Sequence, residues 1–184
     1  MYDGKIILDF ISEEERVFLL DYALNKAPWQ KSKNEYWSER CSYFHSLEDD
    51  NIYKIKMSEI NQRIKQALIT HYTLGNLWSD TIHIAKWPEG FHADAHYDGE
   101  QDPAYGAWNY THRKFGTVIY LNDDYEGGEI YYPQYGIEVK PKAGCLIMHR
   151  GSSDQLHGIK EVTSGVRYAI PAFWGDEEEY NNEF

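Results

Sequence analysis

His96 and Asp98 stand two residues apart, bracketing Tyr97. Residues 93–98 read as an extended strand, and on a strand the side chains at i and i+2 point to the same face. An imidazole and a carboxylate placed in this way can reach one ion. A third ligand must come from elsewhere, and His157, near the start of a later predicted strand, is the candidate. Two histidines and one carboxylate on one face leave open positions on a metal, which suits non-haem Fe(II) oxygen chemistry. A second pair, His92 and Asp94, has the same parity. Spacing alone therefore leaves the register open between the two pairs, and in a chain of eight histidines such a pattern alone is weak.

Ten residues beyond His157 comes Arg167. Residues 157–162 and 166–174 are predicted to form a hairpin around Thr163-Ser164-Gly165, which would return Arg167 to the neighbourhood of the ligand histidine. A fixed guanidinium with a two-pronged donor fork beside a metal suits a dicarboxylate co-substrate.

These residues need a scaffold. Residues 5–10 read as a short leading strand, followed by a helix that opens on Ser12, with Glu15 three residues on to complete a capping box. Val17, Leu20 and Leu24 follow at helical spacing, and the helix is expected to stop before Pro28. After a polar stretch over residues 30–50, Met57, Ile60, Ile64, Ala67, Leu68 and His71 mark a second helix. From residue 80 onward the pattern changes to short strands between Gly and Pro turns, which predicts a sandwich or jelly roll and an α+β chain overall. The expected organisation is a single domain over residues 1–174, with a helical lead-in (1–79) and a jelly-roll core (80–174), and an acidic tail (175–184).

Composition bounds the partners. Eighteen basic and thirty acidic residues give −12, and the five carboxylates of the last ten residues leave −7 on residues 1–174. A phosphate backbone needs clustered Lys and Arg, so nucleic acid is not an expected partner. No apolar run approaches the roughly 18 residues of a membrane helix. Nor does the N-terminus show the basic and apolar regions of a signal peptide. Cys41 and Cys145 make no disulfide framework, and Cys145 reads as a buried small residue. The expectation is a cytoplasmic protein without a membrane partner.

Several residues have a plainer reading. His83 and His112 are expected to be structural, as is His149, although its strand could pass near the site. Residues 122–129 resemble a calcium loop, but Pro133 occupies the closing position, so a solvated turn is expected. Tyr131, Tyr132 and Tyr135 read equally well as the wall of a peptide groove or as strand-face aromatics. The stretch from Gly99 to Arg113, with Tyr105, Trp108 and Tyr110, is long and aromatic and is expected to act as a lid or substrate-binding loop.

Five motifs follow one another over about half the chain: Trp87-Pro88-Glu89-Gly90 ahead of His96-Tyr97-Asp98, then Thr117-Val118-Ile119-Tyr120-Leu121-Asn122, Gly127-Gly128-Glu129, Pro141-Lys142-Ala143-Gly144, and the run from His157 to Arg167. In this order they closely resemble the prolyl 4-hydroxylase-like branch of the 2-oxoglutarate/Fe(II)-dependent dioxygenases. The resemblance implies a double-stranded β-helix, a jelly-roll form, backed by N-terminal helices. It implies His96, Asp98 and His157 as Fe(II) ligands, since the family's six-residue step from Gly90 reaches His96 and leaves His92 and Asp94 at the entrance or surface. It implies Arg167 as the partner of the distal carboxylate of 2-oxoglutarate, with Tyr120 hydrogen-bonded to the same co-substrate. Trp87 stands where many relatives carry another tyrosine, and an indole N–H donates but cannot accept. Pro171, four residues after Arg167, replaces a hydroxyl residue that relatives often carry, so one carboxylate contact is absent.

The implied cofactors are Fe(II), 2-oxoglutarate as co-substrate, O2 and, as a candidate auxiliary reductant, ascorbate. The implied reaction hydroxylates a prolyl residue in a peptide or protein while 2-oxoglutarate is decarboxylated to succinate and CO2. Lysyl residues, free amino acids and other small substrates are the alternatives within that chemistry. A jelly-roll binding module is the non-enzymatic alternative, and the intact triad and Arg167 speak against it.

Overall fold

The computed structural model describes residues 2–99 and 110–181. In chain order the elements are β1 (Lys5–Ile7), α1 (Glu13–Asn25), β2 (Cys41–Tyr43), α2 (Ile52–Tyr72), β3 (Trp78–Pro88), β4 (Ala93–His96), β5 (Phe115–Tyr120), β6 (Glu126–Gly127), β7 (Ile130–Tyr132), β8 (Ile137–Val139), β9 (Leu146–Arg150), β10 (His157–Ile159), β11 (Val162–Ser164) and β12 (Val166–Gly175). Short 3-10 turns lie at Phe44–Ser46 and Glu178–Tyr180. No described helix is long and apolar enough to cross a membrane.

The strands form a six-stranded sheet in the order β1-β9-β5-β12-β3-β2, a four-stranded sheet β4-β10-β7-β8 and a small ribbon β11-β6. All the pairings are antiparallel. The inner faces of the two larger sheets meet in one buried cluster, where Tyr120, Ile147 and Ala169 of the large sheet pack with Ile130 and Tyr132 of the smaller one. The outer face of the large sheet packs on the helices. Ile82, Ile84, Ile119, Leu146, Met148 and Ile170 share a second cluster with Met57, Ile60, Ile64 and Leu68 of α2. This is the helix-backed jelly roll expected from the strand pattern.

Both helices start at a side-chain cap, α1 at the expected Ser12. Ser12 Oγ accepts from Glu15 N at 3.2 Å, while Glu15 Oε2 accepts from Ser12 N at 2.9 Å. Asn51 caps α2 in the same way, accepting from Tyr53 N at 2.9 Å. In the α2 stripe Met57, Ile60, Ile64 and Leu68 are buried as expected, while Ala67 is half-buried and His71 exposed; the α1 stripe is not buried. Val17 and Leu24 are exposed, and Leu19, Tyr22 and Ala23 face the core instead. Tyr22 decides this orientation. Its ring stacks on Phe44, 5.6 Å between centroids, and its hydroxyl meets Ser42 Oγ at 2.9 Å.

The hairpin expected over residues 157–174 does not form. β10 pairs with β4 and β7 in the smaller sheet, β11 pairs with β6, and β12 pairs with β3 and β5 in the large sheet. In a jelly roll the chain crosses from one sheet to the other. Local turn chemistry at Gly165 therefore marks a crossing, not a return. The turn at residues 122–129 is less solvated than expected. Tyr125 is 3% exposed, and the Asn122 side chain is buried between Val166 O, to which it donates at 2.8 Å, and Tyr168 N, from which it accepts at 2.8 Å.

Candidate metal centre and co-substrate pocket

His96 on β4 and His157 on β10 are directly opposite each other across the antiparallel ladder. Cross-strand partners on one face are in side-chain contact, and the two imidazole centroids lie 4.7 Å apart. Asp98 follows the end of β4 and turns inward. Its Oδ1 lies 3.7 Å from Nε2 of His96 and 3.7 Å from Nε2 of His157. These three residues form a cluster able to hold one metal ion. His92 and Asp94 are largely exposed, at 51% and 74%.

A residue expected to be structural completes the surroundings. His149 on β9, in the opposite sheet, places Nε2 3.8 Å from Asp98 Oδ2 and its ring 4.2 Å from that of His157. Its ladder partner is Gly116 on β5. A Cβ at Gly116 would fall on Asp98 Oδ2 and within 2.9 Å of His149 Cε1. The missing side chain is thus the space in which the carboxylate sits. The signal for this was a glycine inside a strand, which marks a close approach.

The donor set fits a cation. Nδ1 of His96, His149 and His157 lies 2.8, 3.0 and 3.0 Å from the carbonyl oxygens of Asp94, Arg150 and Gln155. A carbonyl only accepts, so each Nδ1 carries a hydrogen, and Nε2 is the nitrogen that each ring turns toward Asp98 as a ligand atom. Burial pushes the His157 imidazole down to about 3, with His149 beside it adding to the shift, so the ring is neutral and able to ligate. Lone pairs gathered around a carboxylate repel one another unless a positive charge lies between them.

Farther along the inner face is Arg167, 1% exposed, on β12. It reaches the site not through a hairpin but because residues 167 and 169 of β12 point between the sheets. Its Cζ is 4.8 Å from the Tyr120 ring centroid and 5.3 Å from that of Trp87. Nε and Nη1 of Arg167 and the hydroxyl of Tyr120 are buried without a hydrogen-bond partner. Trp87 walls this region from the side, with the Arg40 guanidinium 4.5 Å from its centroid. A buried guanidinium with no anion is costly, so the pocket has the chemistry of a carboxylate site.

The remaining expectations separate. Tyr132 is an inner-face residue whose ring lies 5.9 Å from that of His157. Tyr135 instead packs on Tyr2, and its hydroxyl donates to Asp154 O. Tyr110 packs on the Arg113 guanidinium at 3.7 Å, and Asp80 accepts from Arg113 Nε at 2.5 Å. Tyr105 and Trp108, with the rest of the expected lid at 100–109, lie outside the described residues. His83 is buried, and burial pushes its pKa down to about 3.

The 2OG-Fe(II) oxygenase superfamily matches this chain over residues 82–175. The chain belongs to that superfamily. The match runs from β3 to the end of β12 and so contains His96, Asp98, His157 and Arg167. Superfamily members use Fe(II) and 2-oxoglutarate. Among curated relatives, human prolyl 3-hydroxylase 2 is 37% identical over 70 residues and chicken prolyl 3-hydroxylase 1 is 39% identical over 70 residues. Each alignment covers 35% of this chain and 10% of the relative, so the match spans about a tenth of the length of these proteins.

Solved superfamily structures share the fold. A viral collagen prolyl hydroxylase from Paramecium bursaria Chlorella virus-1, in complex with 2OG, aligns with a TM-score of 0.69 at 19% identity, covering 94% of each chain. A Trichoplax adhaerens prolyl hydroxylase, in complex with a hypoxia inducible factor peptide fragment, aligns with a TM-score of 0.71 at 19% identity, covering 98% of this chain and 86% of that one.

Proposed function

We propose that this chain is a 2-oxoglutarate- and Fe(II)-dependent hydroxylase acting on a prolyl residue of a peptide or protein. The observation that carries the proposal is a pairing inside one sandwich. A cluster that demands a cation (His96, Asp98, His157) shares the interior with a buried guanidinium that demands an anion (Arg167). The prolyl hydroxylases among its relatives and structural neighbours support the substrate class. So does the net −12, which favours a neutral or basic peptide over a nucleic acid.

In this reading His96, Asp98 and His157 would hold Fe(II). Bound Fe(II) supplies O2 activation and C–H oxidation, coupled to decarboxylation of 2-oxoglutarate. The chain supplies placement. Backbone carbonyls fix the imidazole tautomers, Gly116 leaves room for the Asp98 carboxylate, and Arg167 and Tyr120 orient the co-substrate by its distal end. The apolar residues between the sheets exclude water.

The test is turnover of a panel of proline-containing peptides with Fe(II), 2-oxoglutarate and air. Succinate formation and a gain of one oxygen on proline are expected, and Asp98→Ala should abolish both. Oxygen found on lysine or on a free amino acid would overturn the substrate class. Absence of succinate with every peptide would overturn the reaction.

A further inference from the structure

Tyr125 lies in the turn after β5, and no sequence motif singles it out. Its ring is 3% exposed, and its hydroxyl is buried without a hydrogen-bond partner. The same is true of the Tyr120 hydroxyl and of Nε and Nη1 of Arg167. These groups face one another. Burial pushes both phenols above their ordinary pKa, and the Arg167 guanidinium beside them acts in the opposite direction. Unsatisfied buried donors are rare in folded proteins. Four such donors, two phenol hydroxyls and two nitrogens of the guanidinium they face, with no carboxylate bridged to it among the described residues, outline a site for an anion.

The turn is built to keep Tyr125 in place. Lys140 Nζ donates to Tyr125 O at 2.8 Å and to Gly127 O at 2.6 Å, and lies 4.0 Å from the centre of the Tyr125 ring. Gly128, at φ 66°, lets the ring approach Arg167. A Cβ there would come within 2.9 Å of Tyr125 Cε2 and 3.2 Å of Arg167 Cδ. On β12, Pro171 has the parity of Arg167 and Ala169 and offers no hydroxyl to the interior.

We propose that the Tyr125 hydroxyl donates a hydrogen bond to the distal carboxylate of 2-oxoglutarate beside Arg167, supplying from the β5–β6 turn the contact that Pro171 cannot make. Tyr125 then helps select a five-carbon 2-oxo dicarboxylate over a 2-oxo acid that ends in a methyl group. This inference rests on the function proposed above.

Calorimetry on the Mn(II)-loaded protein without O2 tests it. Tyr125→Phe removes one oxygen atom and keeps the ring. A hydrogen bond to a charged group is strong enough that 2-oxoglutarate should bind about 10- to 100-fold more weakly. Binding of 2-oxopentanoate, which lacks the distal carboxylate, should be equal in both proteins. Arg167→Ala serves as the reference. If it weakens 2-oxoglutarate binding and Tyr125→Phe does not, the role of Tyr125 is overturned and the proposed function stands. If neither variant changes binding, the co-substrate pocket itself is overturned. If Tyr125→Phe weakens both ligands equally, the hydroxyl acts through the fold and the inference fails.

Discussion

The two faces of the six-stranded sheet are built from the same strands by alternation, and they differ in kind. Toward the helices, β5 turns Phe115 and Ile119, β9 turns Leu146 and Met148, and β12 turns Ile170, Ala172 and Trp174. On that face Trp174 Nε1 donates to Thr117 Oγ1 at 2.9 Å, and Thr117 Oγ1 donates to Ala172 O at 3.2 Å. Toward the smaller sheet the same strands turn Gly116 and Tyr120, His149, and Arg167. There a hydroxyl and two guanidinium nitrogens have no protein partner, and a histidine Nε2 lies 3.8 Å from a carboxylate oxygen. One face lowers the free energy of folding. The other spends part of it to keep unmatched charge and hydrogen-bonding capacity ready for ligands. Alternation lets one strand serve both purposes, because neighbouring residues never compete for the same environment.

The comparison can be broken by single substitutions that act on one face at a time. The largest effect is expected on the helix side. Leu146 is fully buried, so Leu146→Ala should destabilise the fold by about 2–5 kcal/mol in urea titration. Mn(II) affinity of the folded protein should not change, and a matching loss of affinity would mean the faces are not separable. On the inner face the sign should reverse. Arg167→Met replaces a buried, unpaired guanidinium by an apolar side chain of similar length. Without 2-oxoglutarate the variant should be more stable, by about 1–4 kcal/mol on the same titration. A destabilised variant would show that Arg167 is part of the core. The smallest effect concerns the carboxylate seat. Gly116→Ala pushes Asp98 out of position, and Mn(II) affinity measured by calorimetry should fall about 10- to 100-fold. Unchanged affinity would show that the carboxylate moves freely.

Much of this protein was legible in the residues. The cap at Ser12, the α2 stripe and the strands of the core were there to read, because each depends on contacts within a few residues of chain. The cluster His96, Asp98 and His157 was also named in advance, by the i, i+2 spacing and the family resemblance; Arg167 was named by the resemblance and by a hairpin that does not form. Tertiary structure decided what alternation and local pattern leave open. It chose which face of α1 is buried, because Tyr22 found Phe44 and Ser42 from another part of the chain. It carried residues 157–174 across the sandwich instead of folding them into a hairpin, because strand partners in a jelly roll lie far apart in sequence. For the same reason it brought His149 and Gly116 to Asp98, and Tyr125 to Arg167. A side chain's own type tells what it can bind, but only the packing of distant strands tells which groups are left without partners inside the fold.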